Sequence, residues 1–95
     1  MRVRISDKAR ADLRHIYRSI EQKNPAAADR LVLDLKSKIA RLTQFPFMGR
    51  ERSEFAESLR SLLVWTCVVF YTVDAAEIAI VRIVDGRMDM EKELQ

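Results

Sequence analysis

The chain has 95 residues, of which 48% are hydrophobic and 33% charged, and its formal net charge is +3. These values predict one soluble domain over residues 1–95 with a modest core. The single cysteine, Cys67, excludes an internal disulfide and a multi-cysteine metal site, and with only one histidine we expect no metal or cofactor. No apolar run approaches the roughly 18–20 residues of a membrane span, and the polar residues that follow the first few positions lead us to expect no signal peptide. We therefore expect a cytoplasmic protein without membrane contact.

Arginine dominates the basic residues, supplying 12 of the 17. Its planar fork matches phosphates and carboxylates in a way that lysine does not. Two partner classes are therefore open, a nucleic acid or an acidic protein segment. The small net charge does not distinguish them.

The N-terminal third predicts a short strand followed by a helix. Residues 2–5 alternate polar and apolar side chains, which is typical of a strand with one buried face. Ser6 fits a helix N-cap, and from residue 7 to about 23 the apolar residues form one helical stripe. Arg10, Arg14 and Arg18 form a row at i, i+4 and i+8 on the flank of this helix. A solvated helix face is the simplest interpretation of that row.

A second helix is predicted from residue 25 to about 44, because Asn24 fits an N-cap and Pro25 is favoured at the first helical position. The short link between the two amphipathic helices predicts a helical hairpin. Pro46 disfavours helix at the preceding residue, and Gly49 supplies a turn. A charged loop over 50–54 and a helical turn over 55–57 are expected next.

Three strands are predicted in the C-terminal half, over residues 59–65, 67–73 and 78–84, because these runs are rich in Val, Ile, Phe and Tyr. The last two are joined by a short polar break and predict a hairpin. A turn over 85–89 and a polar tail should follow. The order β-α-α-β-β-β predicts an α+β fold, with the helical hairpin packed on a small, largely antiparallel sheet.

Both faces of the predicted sheet are apolar, although two helices can cover only one. With strict alternation, the outer face would carry Val68, Phe70, Ile78, Ile80, Arg82 and Val84. Either the sheet curls enough to bury both faces, or the outer face binds another chain, and we favour a partner. Arg82 would contact an acidic group of that partner or form an internal ion pair.

No motif for a reaction is present, such as a phosphate-binding glycine loop or a metal-binding helix motif. A metal-independent RNA-cleaving site is conceivable from Arg60, Arg82 and Arg87 with Tyr71. Tyr71 and Phe70, however, lie within an apolar strand and are predicted core residues. The strands carry few basic residues, which argues against direct nucleic-acid binding.

Several segments in this order resemble the RelE/ParE superfamily of bacterial toxins. They are ISDKA at 5–9, PFMGR at 46–50, LR at 59–60, VFY at 69–71 and VRIVDGRMD at 81–89. The resemblance covers nearly the whole chain. It implies the toxin of a type II toxin–antitoxin pair, bound by the acidic or amphipathic tail of a cognate antitoxin in a hetero-oligomer.

The resemblance is closer to the ParE branch. RelE-like members, which cleave messenger RNA on the ribosome, usually have an arginine where this chain has Val68. Residues 90–95 contain no counterpart of their terminal catalytic tyrosine, and Arg87 alone has an obvious counterpart in their basic set. Asp85 departs from the histidine common in ParE-like turns. The branch implies a non-enzymatic inhibitor of DNA gyrase; an mRNA endonuclease and an interaction module without toxicity are the alternatives.

The apolar character of both sheet faces and this resemblance together predict a set of residues that contact the antitoxin or the target. The set comprises Arg50, Arg52, Arg60, Val68, Phe70, Ile80, Arg82 and Arg87.

Overall fold

The structure is a computed structural model that describes residues 1–87 and 90–94. Its elements in chain order are β1 (Arg2–Ile5), α1 (Asp7–Glu21), α2 (Pro25–Leu42), β2 (Arg50–Glu51), β3 (Arg60–Val64), β4 (Cys67–Val73), β5 (Glu77–Asp85) and α3 (Met90–Glu93). The five strands form one sheet in the order β1-β5-β4-β3-β2. Only β1 runs parallel to its neighbour, so the predicted α+β fold with a largely antiparallel sheet is confirmed.

Two short elements differ from the predicted ones. The expected charged loop contains β2, whose two residues pair with Ser61 and Arg60. The expected polar tail contains the single turn α3. Neither element is long enough to show a hydrophobic period in the sequence. Part of the predicted turn over 85–89 falls on Met88 and Asp89, which lie outside the described residues.

Both predicted helix starts are confirmed by their caps. The Ser6 hydroxyl oxygen accepts the N–H of Ala9 at 3.1 Å, and the Asn24 side-chain oxygen accepts the N–H of Ala27 at 3.1 Å. Each cap satisfies a backbone donor that has no partner inside the helix. No helix in ranges 1–87 and 90–94 is long and apolar enough to cross a membrane.

The main core lies between the helical hairpin and one face of the sheet. Its buried side chains come from α1 and α2 and from the strands β3, β4 and β5. They include Ala9, Leu31, Leu35, Leu42, Cys67, Val69, Tyr71, Ile78, Ile80 and Ile83.

A bulge in β5 decides which residues enter this core. Phe70 pairs with Arg82, but the next residue of β4, Tyr71, pairs with Ile80, so Val81 has no opposite residue on β4. The extra residue shifts the alternation of side chains along β5. Ile78 and Ile80 therefore face the helices and are completely buried, and their predicted position on the outer face is wrong.

The outer face is covered by the chain itself. Val68, Phe70 and Val84 do lie together there, with Leu59, but all four are buried. The cover comes from the segment between β2 and β3, the bulge of β5 and the C-terminal turn, through Phe55, Val81, Met90 and Leu94. The prediction of an apolar outer face left open for a partner is therefore wrong. Short segments suffice as cover because the patch is only a few side chains wide.

Candidate functional site

Arg82 is held inside the molecule by two acidic residues. Its Nε and Nη2 atoms donate to Asp12 Oδ2 and Oδ1 at 2.7 and 3.1 Å. Its Nη1 donates to the backbone carbonyl of Glu93, whose carboxylate lies 3.6 Å from Nη2. The hydrogen bond to Asp12 raises the pKa of Arg82. Of the two roles considered for Arg82, the internal ion pair is the one present.

The short length of β1 explains why Asp12 meets Arg82. β1 pairs with β5 only as far as Ile80, so the rest of β5 is an edge strand. Ser6 and α1 then satisfy this edge: Ser6 N–H donates to the Ile80 carbonyl, its hydroxyl donates to the Val81 carbonyl, and Asp12 Oδ2 accepts the N–H of Ile83 at 3.0 Å. Edge groups left unpaired would favour association with other strands.

Arg60 and Tyr71 hold the loop that follows α2. Arg60 Nη1 donates to the carbonyls of Phe47 and Gly49 at 3.1 and 2.8 Å, and Nη2 donates to Glu51 at 3.2 Å. The Tyr71 hydroxyl donates to the Pro46 carbonyl and accepts the N–H of Gly49, at 2.9 and 2.8 Å. Burial raises the pKa of Tyr71. Both side chains thus have structural partners within the loop.

Gly49 is required by this close approach. A Cβ atom at position 49 would lie 2.6 Å from Tyr71 Cε1 and 2.8 Å from the Ser61 carbonyl oxygen. These distances are shorter than van der Waals contact. The loop therefore packs directly against the sheet while Phe45 and Phe47 remain 55% and 63% exposed.

Arg52 belongs to the outer-face cover, and Arg50 does not. The Arg52 guanidinium lies over the rings of Phe55 and Phe70, at 4.9 and 5.6 Å from their centroids. It also donates to Ser61 and Glu54. Such cation–π contacts stabilise a charged group on an aromatic surface. Arg50 lies exposed on β2.

Arg87 lies at the other end of the sheet. Its side chain is 80% exposed and donates to both Asp85 oxygens, at 3.1 and 2.7 Å. These bonds lower the pKa of Asp85. Asp85 pairs with Cys67, whereas Arg60 pairs with Tyr71, four residues further along β4. Along β4 this separates the two regions by roughly 13 Å, so Arg87 lies near one end of this strand and the Arg50–Arg52–Arg60 group near the other.

The conceivable nuclease set does not assemble around a common point. Arg60, Arg82 and Arg87 each form an ion pair with a carboxylate of the same chain. The Tyr71 hydroxyl is occupied by the loop after α2. In the described part of the chain, no group of three His, Cys, Asp or Glu residues could hold a metal ion.

In the part of the chain that the structure describes, α1 borders a groove on either side that sequence reasoning did not identify. One of about 370 Å³ lies between α1 and the ends of β4 and β5, and its lining includes His15, Trp65 and Arg87. The other, of about 340 Å³, lies between β1, α1 and α2 and includes the Arg10–Arg14–Arg18 row. The row was visible in the sequence, but the groove needs residues from three elements.

Comparisons with known proteins agree on one group. The family model described as "ParE toxin of type II toxin-antitoxin system, parDE" matches residues 3–90. Toxin ParE3 of Caulobacter vibrioides is 32% identical over 84 residues, which cover 87% of this chain and 84% of that protein. A solved chain described as "Chromosomal ParDE TA system from P. aeruginosa" superposes with a TM-score of 0.77 at 28% identity, covering 90% of this chain and 95% of that one.

Proposed function

Because the chain belongs to the ParE family of type II toxin–antitoxin toxins, we propose that it inhibits DNA gyrase by binding and is neutralised by a cognate antitoxin. It acts in the cytoplasm, and toxin and antitoxin form a hetero-oligomer. The similar solved chain from P. aeruginosa belongs to a ParDE system, which supports an antitoxin as partner.

One structural observation favours binding over RNA cleavage. The arginines and the tyrosine that could have formed a cleavage site are all engaged within the chain, by Glu51, Asp12, Glu93, Asp85 and the loop carbonyls. A general base or a charge-stabilising group must reach the reacting atoms of its substrate. Arg60, Arg82 and Tyr71, whose side chains are largely buried, stabilise the fold instead, whereas Arg87 is 80% exposed and bonds to Asp85.

A supercoiling assay tests the proposed target. Purified chain at micromolar concentration should prevent gyrase from supercoiling relaxed plasmid, and an equimolar amount of the cognate antitoxin should restore the activity. Undiminished supercoiling in the presence of folded chain would contradict the gyrase proposal. The antitoxin-bound complex is the matched control, because it contains the same toxin.

Two further assays distinguish the other functions. Programmed ribosomes incubated with the chain should show no new messenger ends; cuts that depend on the chain would identify an endonuclease. Induction of the gene without its antitoxin should arrest growth. Unchanged growth, with the protein present and folded, would identify an interaction module without toxicity.

A further inference from the structure

The loop between α2 and β2 presents three large apolar side chains to solvent within one turn of the chain. Phe45 and Phe47 are each more than half exposed, and Met48 is exposed as well. The N–H of Met48 donates to the carbonyl of Phe45 at 3.2 Å and closes the turn. We call these three side chains the apolar tip. Single exposed apolar residues are ordinary, whereas a contiguous group of them usually marks a contact with another molecule.

The backbone of the apolar tip is fixed, so the exposure of its side chains does not result from a loose loop. The Tyr71 hydroxyl bonds to the Pro46 carbonyl and the Gly49 N–H, and Arg60 donates to the carbonyls of Phe47 and Gly49. The Arg60 guanidinium carbon also lies 5.1 Å from the centroid of the Phe47 ring and supports one face of it. Side chains that are already ordered lose little conformational entropy on binding, which favours their use as binding anchors.

The geometry of the apolar tip favours a folded protein as its partner. Side chains that extend into solvent from a fixed loop are fully buried only where the partner supplies a pocket. An amphipathic or extended segment, such as an antitoxin tail, itself fits into a groove and has no preformed pocket to offer. A folded enzyme surface does have such pockets.

The charges beside the apolar tip favour an acidic protein surface over a nucleic acid. Residues 41–50 contain two arginines, Arg41 and Arg50, and no acidic residue, and both arginines are exposed. A pocket bordered by carboxylates would be complementary to them. Proteins that bind duplex DNA commonly contact roughly six to ten phosphates. Two arginines supply only a small part of that number.

We propose that the apolar tip is the anchor through which the chain binds DNA gyrase. Phe45 and Phe47 enter an apolar pocket of gyrase, and Arg41 and Arg50 contact carboxylates at the edge of this pocket. Arg60 acts as a positioning residue, because it holds the loop and the Phe47 ring in place. The inference rests on the proposed function and adds the part of the chain that contacts the target.

A matched pair of double variants tests this inference. The tip variant carries Phe45→Ser and Phe47→Ser; the control variant carries Leu33→Gln and Leu63→Thr, at positions that are also more than half exposed. The tip variant should bind immobilised gyrase about thirtyfold more weakly and inhibit supercoiling less, because buried aromatic anchors contribute most of the binding energy at an interface. The control should stay within about threefold of the original chain. Both variants should keep the original melting temperature and antitoxin affinity, since the replaced side chains are exposed.

The outcomes separate this inference from the proposed function. A folded tip variant that binds gyrase as tightly as the original chain would overturn the tip as anchor and leave gyrase as the target. No binding of the original chain to gyrase would overturn the proposed function itself. Weaker antitoxin binding by the tip variant, or unchanged gyrase binding with a loss of duplex-DNA binding, would identify a different occupant and overturn the proposed one. An equal loss in the control variant would overturn the specific role of the tip.

Arg60→Lys tests the positioning role. Lysine keeps the positive charge, but it lacks the planar fork that reaches the carbonyls of Phe47 and Gly49 together with Glu51. Gyrase binding should weaken about fivefold, because the loop must then be ordered on binding. Antitoxin binding should be unchanged. Lower stability with unchanged gyrase affinity of the folded variant would show a structural role alone and overturn the positioning role.

Discussion

Asp12 and Arg82 are 70 positions apart in the sequence, yet both carboxylate oxygens of Asp12 accept hydrogen bonds from the guanidinium of Arg82. Their side chains are only 13% and 15% exposed. The pair joins α1 to the part of β5 that has no neighbouring strand on this side, and Glu93 connects the pair to the C-terminal turn. Removing one partner of a charged pair that is shielded to this degree destabilises the fold, because the remaining charge stays poorly solvated.

Removal of either member should therefore lower the free energy of unfolding. We expect about 3 kcal/mol for Asp12→Ala or Arg82→Ala, with a coupling energy of about 1–3 kcal/mol in the double variant. Urea unfolding of the four proteins measures this. Asp12→Asn is the informative control, since it retains an acceptor for the Ile83 N–H. Additive losses in the double variant would contradict the pair as a stabilising unit.

The Arg82→Ala variant also distinguishes the two roles considered for Arg82. Arg82→Ala should leave antitoxin affinity nearly unchanged at a temperature where the variant is folded. A loss of affinity without a loss of stability would show that Arg82 contacts the partner instead.

Tyr71→Phe should destabilise the chain by about 1–3 kcal/mol, because the buried N–H of Gly49 loses its acceptor. The phenyl ring still fills the same space, so the loss isolates the hydroxyl. Tyr17→Phe is the control: its hydroxyl bonds to Asp29 at an exposed site, and we expect less than about 1 kcal/mol. Equal losses in denaturant unfolding would contradict a special role for Tyr71.

Phe55→Ala should expose the outer face of the sheet. The Phe55 ring meets Phe70 edge to face, with centroids 6.0 Å apart and planes at 89°, and Arg52 lies over both rings. We expect a loss of about 2–4 kcal/mol in urea unfolding and increased binding of a hydrophobic dye. Phe55→Leu should recover more than half of the stability. Unchanged dye binding in a folded Phe55→Ala variant would show that the loop does not cover this face.

Asp74 should make the stability of the β4–β5 turn depend on pH. Its carboxylate accepts the N–H groups of Glu77 and Ala76, which lower its pKa below the ordinary value of 3.8. A depressed pKa in the folded state contributes stability above the unfolded pKa, and this contribution is lost as pH falls through the folded value. The melting temperature of Asp74→Asn should therefore fall below that of the original chain at pH 6, and the gap should narrow toward pH 2. A gap independent of pH would contradict this assignment.

Local sequence patterns determined most of the secondary structure. The caps at Ser6 and Asn24 and the apolar periods of the helices depend on neighbouring residues alone, so they predict element types and starts well. Bounds were less exact: the helices end at Glu21 and Leu42, about two residues before the predicted ends. Family membership was also apparent from sequence, because it depends on the order of several short segments.

Side-chain partners and faces required the tertiary structure. The bulge opposite Phe70 and Tyr71 moved Ile80 into the core. Strict alternation of side chains in the sequence does not indicate where a strand contains one extra residue. Sequence could name the carboxylates available to Arg82 but not select Asp12, because the choice depends on where the short β1 strand ends. The cover of the outer face and the groove beside α1 likewise join residues from separate elements. Neighbours along the chain determine caps, periods and turns; the packed fold decides which distant side chains meet.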